Sequence, residues 1–144
     1  MYRYKRRKGS AISEFGPALF ILFLVVLFPL IDILGLALSY GICWYLNFKI
    51  CNQVARTKEA NGPTIAASEV SVVQATGFAN FLHIQQINVP NPSYQDSATP
   101  PTVKVQTSVT AMPFVPVPWF TSVAGLNAPV TFTISSTVVR ELTL

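Results

Sequence analysis

A carboxylate stands at the mouth of a long apolar run. Glu14 lies five residues after Gly9, and Gly9 closes a basic cluster of Arg3, Lys5, Arg6, Arg7 and Lys8. From Phe15 to Leu46 the chain carries a single charged residue, Asp32. A charge inside a bilayer-crossing helix costs up to about 3 kcal/mol, so where one is kept it marks a function. A carboxylate in low dielectric is stabilised by a cation beside it, which points Glu14 towards a charged partner. Asp32 lies about 25 Å along the helix from Phe15, near the opposite membrane interface. It reads either as a solvated interfacial carboxylate or as a polar contact between subunits.

The remaining reactive side chains are sparse. His83 is the sole histidine, and one histidine without Cys, Asp or Glu at ligand spacing makes no metal site. It reads as a surface residue at a helix end. No Ser/His/Asp set can be assembled around it, and there is no Gly-rich phosphate loop, so neither an enzyme nor a cofactor is expected. Cys43 and Cys51 are the only cysteines. On one helix their Cα atoms stand about 12 Å apart, beyond the ~7 Å limit of a disulfide, and they read either as small buried residues or as a bridge to another subunit. Phe114 and Trp119-Phe120 flank a run holding Pro116 and Pro118. They either pack onto a sheet or form a partner patch, since exposed clustered aromatics mark interfaces.

These residues need a scaffold. The chain has 144 residues, 51% of them hydrophobic and 11% charged, which is more apolar than an ordinary soluble domain. Of its ten Lys/Arg, five lie in residues 3 to 8; the other five face six Asp/Glu. The positive charge thus belongs to the N-terminal leader, as an orientation signal beside an apolar helix. No basic or aromatic patch follows it to suggest nucleic acid.

The spacing predicts an α+β chain in three parts. Residues 1–9 form a basic leader. Residues 10–61 form one long helix, membrane-spanning over about 15–40, with its stop at Glu59 to Gly62. The run from Phe15 to Leu46 would measure about 48 Å as helix, longer than a ~30 Å hydrocarbon core, so the helix should emerge into water. Pro29 should kink it, and Gly16-Pro17 should weaken its start. Residues 62–144 form an extracytoplasmic head. Pro63 suits the first turn of a second helix, and Ala66, Val70, Val73, Gly77 and Phe81 give that helix an apolar face ending near His83 to Gln86. A Pro-rich loop is expected at 88–102. Val103 to Val109 and Val130 to Val139 alternate as strands, and the prolines between Met112 and Phe120 mark a loop or edge.

The basic leader, Gly9, Glu14-Phe15 and the apolar run together resemble a class III signal, the kind cut by prepilin peptidase. Within that group the chain resembles the TadE/TadG-like pseudopilins of tight-adherence pilus systems. The resemblance is firm over residues 1 to about 60; over the head only the helix-then-strands order matches. It implies cleavage between Gly9 and Ser10, pairing of Glu14 with the new N-terminal amine of a neighbouring subunit, and a structural role in pilus assembly. It implies as partners other pilins and pseudopilins, the inner-membrane assembly platform and prepilin peptidase. The protein would sit in the bacterial inner membrane, with its N-terminus cytoplasmic and its head outside, or enter the pilus itself. Major pilins of this type are shorter, with little head, which favours an accessory subunit. The alternatives are a signal-anchored bitopic protein with an extracytoplasmic binding module, and a secreted protein cut near Ala37-Leu38-Ser39, although its apolar run is too long for a secretory signal.

Overall fold

The computed structural model describes residues 11–116 and 123–141, with side chains from Phe15 onward. The chain is α+β, as the patterning predicts. Helix α1 (Ala11–Ala55) is followed by a short 3₁₀ turn (Glu59–Asn61), α2 (Gly62–Ala75), α3 (Gly77–Phe81) and four strands. The strands are β1 (Ile84–Asn88), β2 (Ser93–Gln95), β3 (Thr102–Ala111) and β4 (Val130–Val139).

Helix α1 is apolar all round in its first half and one-sided in its second. Phe20, Leu22, Phe23, Val26 and Leu30 are exposed, whereas Leu46, Ile50 and Val54 are fully buried. Asp32, Gly35, Ser39, Cys43, Asn47 and Cys51 recur every three or four residues and are buried, which places them on one stripe of the helix. They are small or polar, so the sheet can approach closely. The helix runs on through Pro17 and Pro29 and already includes Ala11 to Phe15, so Gly16-Pro17 does not delay its start. Each proline removes one backbone donor, and the remaining ladder carries the helix across.

The sheet lies along that stripe. β3 is its centre, antiparallel to all its neighbours. β4 pairs along its whole length, from Thr102↔Val139 to Ala111↔Val130. The other edge is shared by β1, opposite Ser108–Ala111, and β2, opposite Thr102–Lys104. Val103, Val105, Thr107, Val109 and Ala111 are buried and alternate with more exposed residues, as a strand with one covered face requires. α1 and β4 run in step. The Cys43 thiol donates to Phe132 O, Asn47 Nδ2 to Ile134 O and the Cys51 thiol to Ser136 O. Four helical residues advance about 6 Å and two strand residues about 6.8 Å, so the register holds over two helical turns.

Several boundaries differ from expectation. α1 ends at Ala55 rather than at 61, because Arg56 and Thr57 close a turn onto Gln53 O and Val54 O and Lys58 is extended. Gly62 opens α2 instead of ending α1; it is buried beneath the Tyr94 hydroxyl, where a Cβ would collide. The second helix breaks at Thr76, which is extended and caps Val73 O with its own hydroxyl. β1 and β2 occupy positions expected as helix end and Pro-rich loop. β1 carries a bulge between Ile84 and Gln86, and β2 is a three-residue edge strand.

Candidate functional site

The functional candidates fall into two groups, one at the N-terminus and one at the lower end of the head. Gly9, Ser10, Trp119 and Phe120 lie outside the described residues. Glu14 is on the first turns of α1, and its side chain also lies outside them. Phe15 is exposed, at the start of the apolar half.

Asp32 is fully buried. Its Oδ1 accepts the backbone N–H of Val115 at 2.9 Å, and among the described residues Oδ2 has no hydrogen-bond partner. The expected solvated or inter-subunit carboxylate is therefore covered by its own chain. The Met112–Pro116 segment reaches back across the helix and pins itself to Asp32, because a buried carboxyl needs donors and a proline-rich loop has backbone N–H groups with no strand to join.

The same segment brings Phe114 onto Gly35, where a Cβ would collide with the phenyl ring. Phe114 is half-buried. One face of it stacks on the exposed His83 at 5.0 Å between centroids, and Phe81 meets it edge-on at 5.6 Å. His83 takes a positive φ of 50° at the end of α3, a conformation histidine tolerates better than most residues. There its carbonyl accepts the Met112 N–H at 3.1 Å. A third loop contacts α1 one residue further on. Gly125 has φ +86°, and a Cβ there would stand 2.6 Å from Leu36 Cδ1. Val115, Phe114 and Gly125 thus fix the base of the head at Asp32, Gly35 and Leu36.

An open apolar groove of about 400 Å³ runs beside this base, lined by Ala37, Leu38, Gly41, Tyr45, Val73 and Phe78. Above it Tyr40, Trp44, Tyr45 and Phe48 stay about half exposed on α1, with Trp44 and Phe48 stacked at 5.6 Å. Cys43 and Cys51 are free thiols and fully buried. Each donates to strand carbonyls, so they bind the helix to the sheet in addition to filling space.

The residue missed by sequence reasoning is Asn47. It is buried, and its Nδ2 lies 3.1–3.2 Å from Val105 O, Thr107 Oγ1 and Ile134 O. It therefore ties α1 to the central strand β3 and to the edge strand β4 at once. The available signal was its place between Cys43 and Cys51 at four-residue spacing. Among the described residues no three potential metal ligands cluster.

Towards the far end of the head the chemistry is ionic. Lys49 Nζ stands 2.6 Å from Glu69 Oε2, and Gln53 donates to Glu69 Oε1 at 3.0 Å. The Lys49 hydrogen bond, then that of Gln53, holds the Glu69 carboxyl below its ordinary range against some desolvation. Arg140 pairs with Asp96 at 2.6 Å and lies over the Tyr94 ring at 4.9 Å. Among the described residues one helix, near the N-terminus, is long and apolar enough to cross a membrane. Compared with protein-family models, curated proteins and solved structures, the chain matches none of them.

Proposed function

We propose that this protein is a pilin-like structural subunit, a pseudopilin or minor pilin that supports assembly of a tight-adherence pilus or a related secretion filament. The observation that carries the reading is the division of labour within α1. One continuous 45-residue helix is bare and apolar over its first half and becomes the core of an α+β head over its second. A subunit that waits in a membrane and then packs by its helix into a filament needs that design. The N-terminal motif supports it: Gly9 offers a small residue to a prepilin peptidase, cleavage leaves a cationic amine at Ser10, and Glu14 supplies a carboxylate for the amine of a neighbour.

The basic leader would hold the N-terminus in the cytoplasm, with α1 crossing the inner membrane and the head on the far side. The role is structural rather than catalytic, and its partners are other pilin-like subunits, the assembly platform and the peptidase.

A signal-anchored binding module shares this topology. It gains one argument from Asp32, whose intrachain bond to Val115 removes it from the charges open to a neighbouring subunit. Mass analysis of the membrane-purified chain from a host with active prepilin peptidase separates the two. The pilin-like reading expects a mature chain beginning at Ser10, an intact precursor for Gly9→Leu, and a Glu14→Gln variant that inserts normally but recovers less of its partner subunits. Residues 1–9 still attached to the wild type would refute it.

A further inference from the structure

We infer that the base of the head is a membrane-seating surface: Phe78, Phe81 and Phe114 lie in the outer headgroup layer of the same bilayer that α1 crosses, and the occupant of this apolar face is lipid. The inference rests on the membrane crossing in the proposed function and is independent of the pilin assignment.

The first argument is height. With Phe15 at the inner edge of the hydrocarbon, Gly35 stands about 30 Å further along the helix axis, which is the thickness of the hydrocarbon core. Phe114 rests on Gly35, and Phe81 meets Phe114. Phe78 lines the groove beside Ala37, Leu38 and Gly41, at about 33–39 Å. The basal phenyl rings therefore occupy the layer where bilayers accept aromatic side chains. Phe78 and Phe81 are 49% and 61% exposed. Tyr40, Trp44 and Tyr45 continue the belt on α1, and helical side chains lean towards the N-terminus, which brings their rings down towards the same layer.

The second argument is charge. Between Val70 and Gln95, and again between Val105 and Val139, the chain has no Asp, Glu, Lys or Arg. These two stretches supply every described loop at the base. The head's charged residues, Lys49, Arg56, Lys58, Glu59, Glu69, Asp96, Lys104, Arg140 and Glu141, lie towards or at its opposite end. A surface meant for water has no reason to segregate charge in this way.

The third argument is Asp32. It sits about 25 Å along the span, inside the outer leaflet, where an uncovered carboxyl is costly. The Val115 N–H covers it, which brings the tip of the Met112–Pro116 loop down to the boundary between headgroups and hydrocarbon.

The test is depth-resolved quenching in the full chain, reconstituted into phosphatidylcholine/phosphatidylglycerol vesicles that carry nitroxide-labelled lipids. An environment-sensitive fluorophore is placed at Phe81→Cys, with Phe78→Cys as an independent second site. Val25→Cys serves as the mid-bilayer control and Ser97→Cys as the far-end control. The wild type, with Cys43 and Cys51 buried, gives the background. The Phe81 and Phe78 labels should be quenched at least two-fold more by shallow than by deep nitroxides, the Val25 label the reverse, and the Ser97 label by neither. A quenched Val25 label with unquenched Phe81 and Phe78 labels overturns the seating while leaving the crossing intact. An unquenched Val25 label overturns the crossing and the seating together. Shielding of Phe81 that disappears as the protein is diluted into excess lipid also overturns the seating, because the occupant is then a second copy of the chain.

Discussion

Replacing Asn47 by residues of nearly the same shape separates hydrogen bonding from packing at the seam between helix and sheet. The Asn47 amide directs two N–H groups at three acceptors, Val105 O, Thr107 Oγ1 and Ile134 O, while its Oδ1 lacks a partner among the described residues. Two buried hydrogen bonds contribute about 2 kcal/mol net, and an unsatisfied acceptor costs about 1 kcal/mol or more. Asn47→Leu loses the first and removes the second, for a net cost of about 1 kcal/mol. Asn47→Asp loses both bonds and turns two oxygens onto the acceptors, for at least about 4 kcal/mol. The gap of about 3 kcal/mol corresponds to roughly 12–24 °C in the melting temperature of a domain this size. Near-ultraviolet circular dichroism of the detergent-solubilised chain reads it through the aromatic residues of the head. Equal melting of the Leu and Asp variants, or a Leu variant less stable than Asp, would refute the assignment of Nδ2 as the group that joins the two strands to α1.

Two further outcomes follow from the same packing. The Glu69 carboxyl is held below its ordinary range, so its contribution is present above an unfolded value of about 4.3 and is lost as pH falls through the lower folded value. Thermal melts from pH 7 to pH 3 should therefore show the wild type ahead of Glu69→Gln by at most about 1 kcal/mol at neutral pH, with the gap closing in acid; a gap that widens in acid would reverse the sign. Cys43 and Cys51 should resist a bulky maleimide in the folded chain and take up two equivalents in dodecyl sulfate, as counted by gel shift. An intrachain Cys43–Cys51 peptide in a non-reducing digest would require α1 to break between them.

What the sequence revealed and what it hid have one physical cause. β3 and β4 were legible because one face of each is covered by α1 and the other is open, so that Val103, Val105 and Val109, like Val130, Phe132 and Ile134, keep a strict period of two. β1 was hidden by its bulge at Ile84/Gln86, which breaks that period. β2 was hidden because three residues beside Pro92 are too few to show one. The seam on α1 was the least legible part. In a soluble helix the buried stripe is the apolar one. Here the small or polar residues Asp32, Gly35, Ser39, Cys43, Asn47 and Cys51 are buried, joined by Leu46, Ile50 and Val54 only in the second half, while most Phe, Leu and Val of the first half are exposed. Such a stripe reads as a set of gaps in a hydrophobic run.

The same stripe accounts for Asp32 as well. Its partner is a backbone N–H 83 residues away, and nothing local announces that contact. The carboxyl is nonetheless the first residue of the buried stripe, and after it Gly35, Cys43, Asn47 and Cys51 each meet a strand or a loop of the head. Asp32 therefore marks the level at which α1 stops presenting only apolar surface and begins to serve as a protein core. A head attached merely at its upper end would leave that level bare. One pinned at Asp32, Gly35 and Leu36 extends the folded unit down to the apolar first half of α1, so the helix has no free stalk between the two.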